Sequence, residues 1–256
     1  DPQELAGQLG IRSEGLLDDF VGHAFVAQEV ECPNHRTGRR RKVASGTGLG
    51  RHEVQPLEVI EAQRGAPGLY LRALDLTRHR IRLRNEDIDK AVKGSVEDLE
   101  AWLAAAFVDP EEAEMLLWHG YAWGSYINTS KDDMEAIADL AYAKAFVARS
   151  IELNPNYYNA AGYTFMGVAT ASEMAADMDT AKMYFEKALA ATERRALQAQ
   201  VNMARYYCVK TGDRALFDSL LEEVMDAIDP LPEARLANTM ARERASMYID
   251  NADQLF

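Results

Sequence analysis

Asp179-Thr180-Ala181-Lys182-Met183-Tyr184-Phe185-Glu186-Lys187-Ala188 is the stretch on which the fold turns. Ala181, Phe185 and Ala188 are spaced four and three residues apart, which stacks them on one face of a helix. Lys182, Glu186 and Lys187 fall on the other face. The same spacing of small or apolar residues recurs at Leu99, Leu103 and Ala106, at Ala143, Val147 and Ser150, and at Phe217, Leu221 and Val224. In three of the four copies a proline follows: Pro110, Pro155 and Pro230. The first positions of the copies lie 44, 38 and 36 residues apart. Any amphipathic helix shows this spacing once, as an irregular bundle would. Four copies with similar punctuation favour a repeat.

The pattern is that of the second helix in a tetratricopeptide hairpin, whose unit is about 34 residues, so these are stretched and degenerate copies. The expected fold is all-α, a tetratricopeptide-like array of helical hairpins (an α-solenoid) over residues 69–256. Local punctuation agrees. Asp109-Pro110-Glu111-Glu112 places a cap, a first-turn proline and early acids in the favoured order. Ser130-Lys131-Asp132-Asp133 has the form of a capping box with Asp in place of Glu. Gly212-Asp213 ends one helix and begins the next, and Asn154-Pro155 and Asp229-Pro230 are stops. Ahead of this domain, the N-terminal segment 1–31 offers one helix over residues 12–31 through Leu16, Leu17, Phe20, Ala24, Val26 and Ala27. Residues 32–68 break character. Seven Lys/Arg against three Asp/Glu, with the run Arg39-Arg40-Arg41-Lys42 and little apolar periodicity, read as a loop or insert.

The 256 residues carry 28 Lys+Arg and 41 Asp+Glu, a formal net charge of −13, with 48% hydrophobic residues. Such a chain can bury a core, and its acidity argues against nucleic acid or an anionic membrane surface as the main partner. The basic run has no interleaved aromatic for base stacking. Neither uncharged stretch, Met115–Ser130 nor Leu153–Ser172, is a membrane span: the first is too short and the second contains Asn154, Pro155, Asn156 and Asn159. Cys32 and Cys208 form no disulfide framework or zinc spacing. Ser45-Gly46-Thr47-Gly48-Leu49-Gly50 is not followed by Gly-Lys-Ser/Thr, and His52-Glu53 lacks the second histidine of a metalloprotease helix. His119, in an uncharged stretch, reads as a packed core histidine. With no Gly-x-Ser-x-Gly elbow either, the expectation is no catalysis, no metal and no cofactor.

The positive signal is aromatic. Met115–Ser130 holds Trp118, Tyr121, Trp123 and Tyr126, and Leu153–Ser172 holds Tyr157, Tyr158, Tyr163 and Phe165. Both occupy the first-helix slot of a repeat, where helices tend to line the concave face of a solenoid. Gly120, Gly124, Leu117 and Ile127 share one side of the first stretch, where small residues admit a neighbouring helix. A helix apolar all round must be covered on every side, so these are either central core helices or the walls of a groove.

The residues also resemble a known family. Leu69-Tyr70-Leu71-Arg72-Ala73, Ala148-Arg149-Ser150-Ile151-Glu152-Leu153-Asn154-Pro155, Asp179–Ala188, Ala204-Arg205-Tyr206-Tyr207 and the closing Asn251-Ala252-Asp253-Gln254-Leu255-Phe256 occur in that order. Together they are similar to the T-component (TatT) of tripartite ATP-independent periplasmic (TRAP) transport systems, over about residues 69–256 and more weakly over 16–31. Residues 32–68 depart from the family, which runs a helix pair there. The resemblance implies a periplasmic lipoprotein without catalysis, any lipid anchor lying outside this chain. It further implies a homotrimer that associates with the solute-binding (P) subunit and takes a hydrophobic or organic-acid ligand. The expected ligand or partner residues are Trp118, Trp123, Tyr126, Asn159, Tyr163, Arg205 and Tyr206, with Arg205 the candidate counter-charge for a carboxylate. The competing reading is a generic tetratricopeptide adaptor that holds an extended peptide; a helical enzyme comes third.

Overall fold

The computed structural model describes the backbone over residues 56–256 and the side chains over 68–256. The expected helix at 12–31, the basic run, the glycine-rich stretch at 45–50, Cys32, His23, His35 and His52 lie outside the described residues. Within them every regular element is helical.

The chain runs through α1 (Pro56–Arg84), α2 (Ile88–Ala91), α3 (Val96–Ala106), α4 (Ala113–Thr129), α5 (Met134–Ala138), α6 (Leu140–Leu153), α7 (Tyr157–Ser172) and α8 (Met178–Ala191). Gln198–Asn202, the π-helical Met203–Cys208 and Val209–Thr211 follow one another as α9. Then come α10 (Arg214–Asp226), α11 (Arg235–Asp250) and α12 (Ala252–Leu255). No described helix is long and apolar enough to cross a membrane.

α1 begins at Pro56, so the helix reaches back into the segment expected to be a loop and runs unbroken across residue 68. Proline suits a first turn, where its missing N–H has no intrahelical partner to lose. The other starts are set by side chains. Ser95 and Asp98 form a reciprocal capping box on α3. Glu112 Oε2 accepts from the Val108 and Asp109 backbone N–H groups at 2.9 and 3.1 Å. Asp177 caps α8 and Asp213 caps α10, the latter just after left-handed Gly212. The Ser130–Asp133 expectation needs correction. Asp133 itself is the cap, accepting from Glu135 and Ala136 N–H, while the buried Ser130 ends α4.

The four sequence patterns fall on α3, α6, α8 and α10. Of their twelve marked residues only Ala106 is not fully buried. Each of these helices packs on a partner drawn from α4, α6, α7, α9 or α11 nearby in sequence: α4 on α6, α3 on α6, α7 on α8, α9 on α10, and α10 on α11. α7 joins the two large cores. Phe165, Met166 and Ala169 belong to the core with Leu116, Trp123 and Phe146; Val168 and Ala171 belong to the core with Phe185, Leu221 and Tyr206.

Glycine sets how closely these helices nest. A Cβ at Gly120 would lie 2.5 Å from Val147 Cγ2 and 2.8 Å from the Ala143 carbonyl oxygen, both on α6. One at Gly124 would strike the Phe165 ring at 2.5 Å, and one at Gly167 the Phe185 ring at 2.9 Å. The side of α4 expected to admit a neighbour does so twice, towards α6 and towards α7. Gly120→Ala should therefore lose about 1–3 kcal/mol in urea denaturation, although alanine is the better helix former. Gly68→Ala in α1, with nothing within 4 Å of its Cβ position, should gain up to about 1 kcal/mol instead. Equal effects at the two sites would refute the close-packing account.

Candidate functional site

A partly enclosed cleft of about 180 Å³ lies among α4, α7, the start of α9 and α11. α4 contributes Tyr121; α7 contributes Tyr158, Asn159, Ala161 and Thr164. Ala196, Gln198 and Ala199 come from the start of α9, and Glu233, Leu236, Ala237, Asn238 and Met240 from the turn into α11 and its first half. None of α3, α6, α8 or α10 reaches it.

The backbone around it is strained. Tyr158, Asn159 and Ala160 all have positive φ (49°, 56° and 56°), as do Glu193 and Arg194 (49° and 61°) and Asp229 (45°). Each group sits where a second helix hands over to the next first helix. For residues with a Cβ the left-handed region costs energy and persists only where surrounding contacts enforce it. Those contacts are present. Trp118 Nε1 donates to the Tyr157 hydroxyl at 3.3 Å, and its ring meets Tyr158 edge-on at 4.9 Å. Arg194 is paired with Glu223 of α10, and its carbonyl accepts from Gln200 Nε2 at 2.7 Å. Asp229 is held by Arg235 at the start of α11.

Of the residues expected to bind, only Asn159 lines this cleft. Trp118 stands behind it, holding Tyr157 and Tyr158. Trp123 is 7% exposed, donates to Asp139 Oδ2 at 3.3 Å and stacks on Tyr142. Tyr126 is half-buried on α4. Tyr163 faces α8, where it meets Tyr184 and lies beneath the Lys187 ammonium. Arg205 and Tyr206 are buried in the π-helical part of α9, outside the cleft lining. The structure does not gather the seven into one site. Sequence reasoning missed Tyr158, Gln198 and the α11 residues. Tyr158 was visible within the aromatic stretch; α11, an ordinary amphipathic helix, carried no signal.

Residues 52–256, well over half of the sequence, match the TRAP transporter T-component family. The chain belongs to that family. No curated protein matches it. A T-component is part of a transporter and not of an enzyme class, which agrees with the failure of every catalytic motif. Among the described residues no group of three or more His, Cys, Asp or Glu is placed to hold a metal ion.

Two buried groups in this T-component look reactive and are not. The Cys208 thiol, buried against the second core, is pushed up to about 12, chiefly by loss of hydration, and so remains protonated. His119 is fully buried. Thr77 Oγ1 lies 2.9 Å from the Ala73 carbonyl oxygen and 2.9 Å from His119 Nδ1, a contact whose donor depends on the imidazole tautomer. Nε2 has no hydrogen-bond partner among the described residues. Burial, helped by the nearby Arg78 charge, lowers the imidazole to about 3.

Two predictions follow from this geometry. Because the folded-state pKa of His119 lies below the unfolded value near 6.5, the unfolded chain takes up a proton first as pH falls. Stability is then fully present above about pH 6.5 and is lost from there towards pH 3, by up to about 5 kcal/mol. Urea titrations between those pH values should show the slope in the wild type and lose most of it in His119→Phe. Trp123→Ala should cost about 3–5 kcal/mol by the same measurement, as a core residue does; an unchanged midpoint would make Trp123 a surface binding residue instead.

Proposed function

We propose that this T-component is a non-enzymatic accessory subunit of a TRAP-type uptake system, built as a tetratricopeptide-like hairpin array. In this reading it works in the periplasm, held to the membrane by a lipid anchor, and associates with the solute-binding subunit as a homotrimer. A hydrophobic or organic-acid ligand is taken up on the aromatic-lined side of the array.

The observation that carries this reading is the origin of the cleft lining. Walls drawn from four successive first-helix positions, and from no second helix, are what a concave binding face requires. The lining is mostly Ala, Leu, Met and Tyr with a few amide and hydroxyl groups, the mixture typical of small-ligand sites. Arg205 remains the proposed counter-charge if the cargo is an acid, and Asn159 the proposed polar contact at the cleft.

Co-purification with the solute-binding subunit at low salt tests the partnership, and a clean failure with intact protein would sink it. For the ligand face, Leu236→Glu puts a charge at an apolar, 53% exposed position of the cleft. It should weaken binding of an apolar ligand by about tenfold or more while leaving the urea midpoint within about 0.5 kcal/mol of wild type.

A further inference from the structure

We propose that an exposed leucine stripe on α1 seats an amphipathic helix formed by residues 12–31 of this same chain, which covers the outer side of the first described helix. Residues 12–31 lie outside the described residues. What selects them is the match between their sequence and the stripe.

α1 packs on α4 through one face, where Tyr70 and Ile81 are buried and Leu74 and Thr77 half-buried. On another face Leu69, Leu76 and Leu83 recur every seven residues and are 60%, 68% and 77% exposed. A repeat of seven drifts by only about 20° per step on a helix, so the three form one continuous stripe. A single exposed leucine is ordinary; a row of three along about 21 Å of helix is an apolar face left unpartnered. In the hairpin array proposed above, the first helix has no earlier hairpin on its outer side, and array ends need a cap.

Charge decides which helix fits. Arg72 and Arg80 border the stripe on its two sides, with His79 beside Arg72, and Asp75, the only carboxylate over residues 68–84, lies off it. Arg80 shares its charge with Glu114 at 3.3 Å, so Arg72 is the more telling of the two. A second copy seated stripe to stripe would bring these arginines together, and like charges in contact are unfavourable. Residues 12–31 have the opposite character: Glu14, Asp18, Asp19, Glu29 and Glu31 stand against Arg12 alone. Their Leu17, Phe20, Val21, Ala24 and Ala27 share one helical face, with Asp18 and Glu29 along its edge. Because an arginine borders each side of the stripe, that acidic edge meets one whichever way the two helices run. Length permits the contact. Twenty residues make a helix of about 30 Å, and the 24 residues from 32 to 55 can bridge roughly 80 Å.

Chymotrypsin digestion of the intact protein, followed by mass spectrometry, reads the contact at the bonds after Phe20 and Phe25. A docked helix is cut only when it opens, so the cleavage rate reports on docking. Leu76→Glu should raise cleavage at these bonds at least about tenfold, and Arg72→Glu several-fold. Leu71→Glu, exposed but off the stripe, should leave the rate within about twofold of wild type. The bonds after the buried Phe165 and Phe185 stay uncut while the body is folded; should Leu76→Glu lose that protection, Leu83→Glu repeats the measurement. Equal cleavage of residues 12–31 in wild type and the stripe variants would overturn the proposal. So would a fall in solution molecular mass on Leu76→Glu with cleavage unchanged, which would make the stripe a contact between copies.

Discussion

The structure depends on how closely α4 approaches its neighbours. At Gly120 the surface of α4 comes so near α6 that a single methyl group would press on the Ala143 carbonyl, and at Gly124 it receives the Phe165 ring of α7. Gly167 repeats the arrangement one hairpin later, receiving Phe185. Each contact seats a bulky side chain in the space a Cβ would fill, and interiors at near-crystalline density do not tolerate partial fits. Because α4 and α7 are approached in this way, they are covered on most sides. That explains why the two longest uncharged stretches of the sequence fall on them. A charge at most positions around these helices would be buried without a partner.

Close nesting has a consequence at the connections. The hand-over from each second helix to the next first helix must be made in a few residues, and three successive hand-overs do it with left-handed, non-glycine backbone. The strain is countered from outside the turn every time, by Trp118 on Tyr157 and Tyr158, by Glu223 on Arg194 and by Arg235 on Asp229. Two of the strained residues, Tyr158 and Asn159, are themselves cleft walls. A wall fixed by over-determined backbone is pre-organised, so in the proposed reading of the cleft less conformational freedom is left to lose on binding.

Much of the helical layout was legible in the sequence because it is local. Spacings of four and three residues picked out α3, α6, α8 and α10, and Asp109, Asn154, Gly212 and Asp213 marked real boundaries, since caps and stops act within a turn of the residue that causes them. The glycine side of α4 was legible for the same reason. The strained turns were not. Tyr, Ala, Glu and Arg do not advertise a left-handed conformation, and the contacts enforcing it come from 29 to 39 residues away in two of the three cases. The cap on α5 shows the local limit: Ser130 and Asp133 lie three residues apart as a capping box requires, but the chain uses Asp133 alone and buries Ser130.

Aromatic clustering singled out α4 and α7, both of which contribute to the cleft, and of the seven residues expected to bind only Asn159 lines it. Trp118 and Trp123 are amphipathic rings whose N–H groups need partners once buried, and they find them in Tyr157 and Asp139. Those bonds make them supports. The cleft lining itself includes Tyr121 and Tyr158, small alanines that leave room, and the Gln198 and Asn238 amides bonded to backbone. In the proposed reading, a ligand would be selected by the space the lining alanines leave, since the bulky rings that could have filled it are held elsewhere by Tyr157 and Asp139.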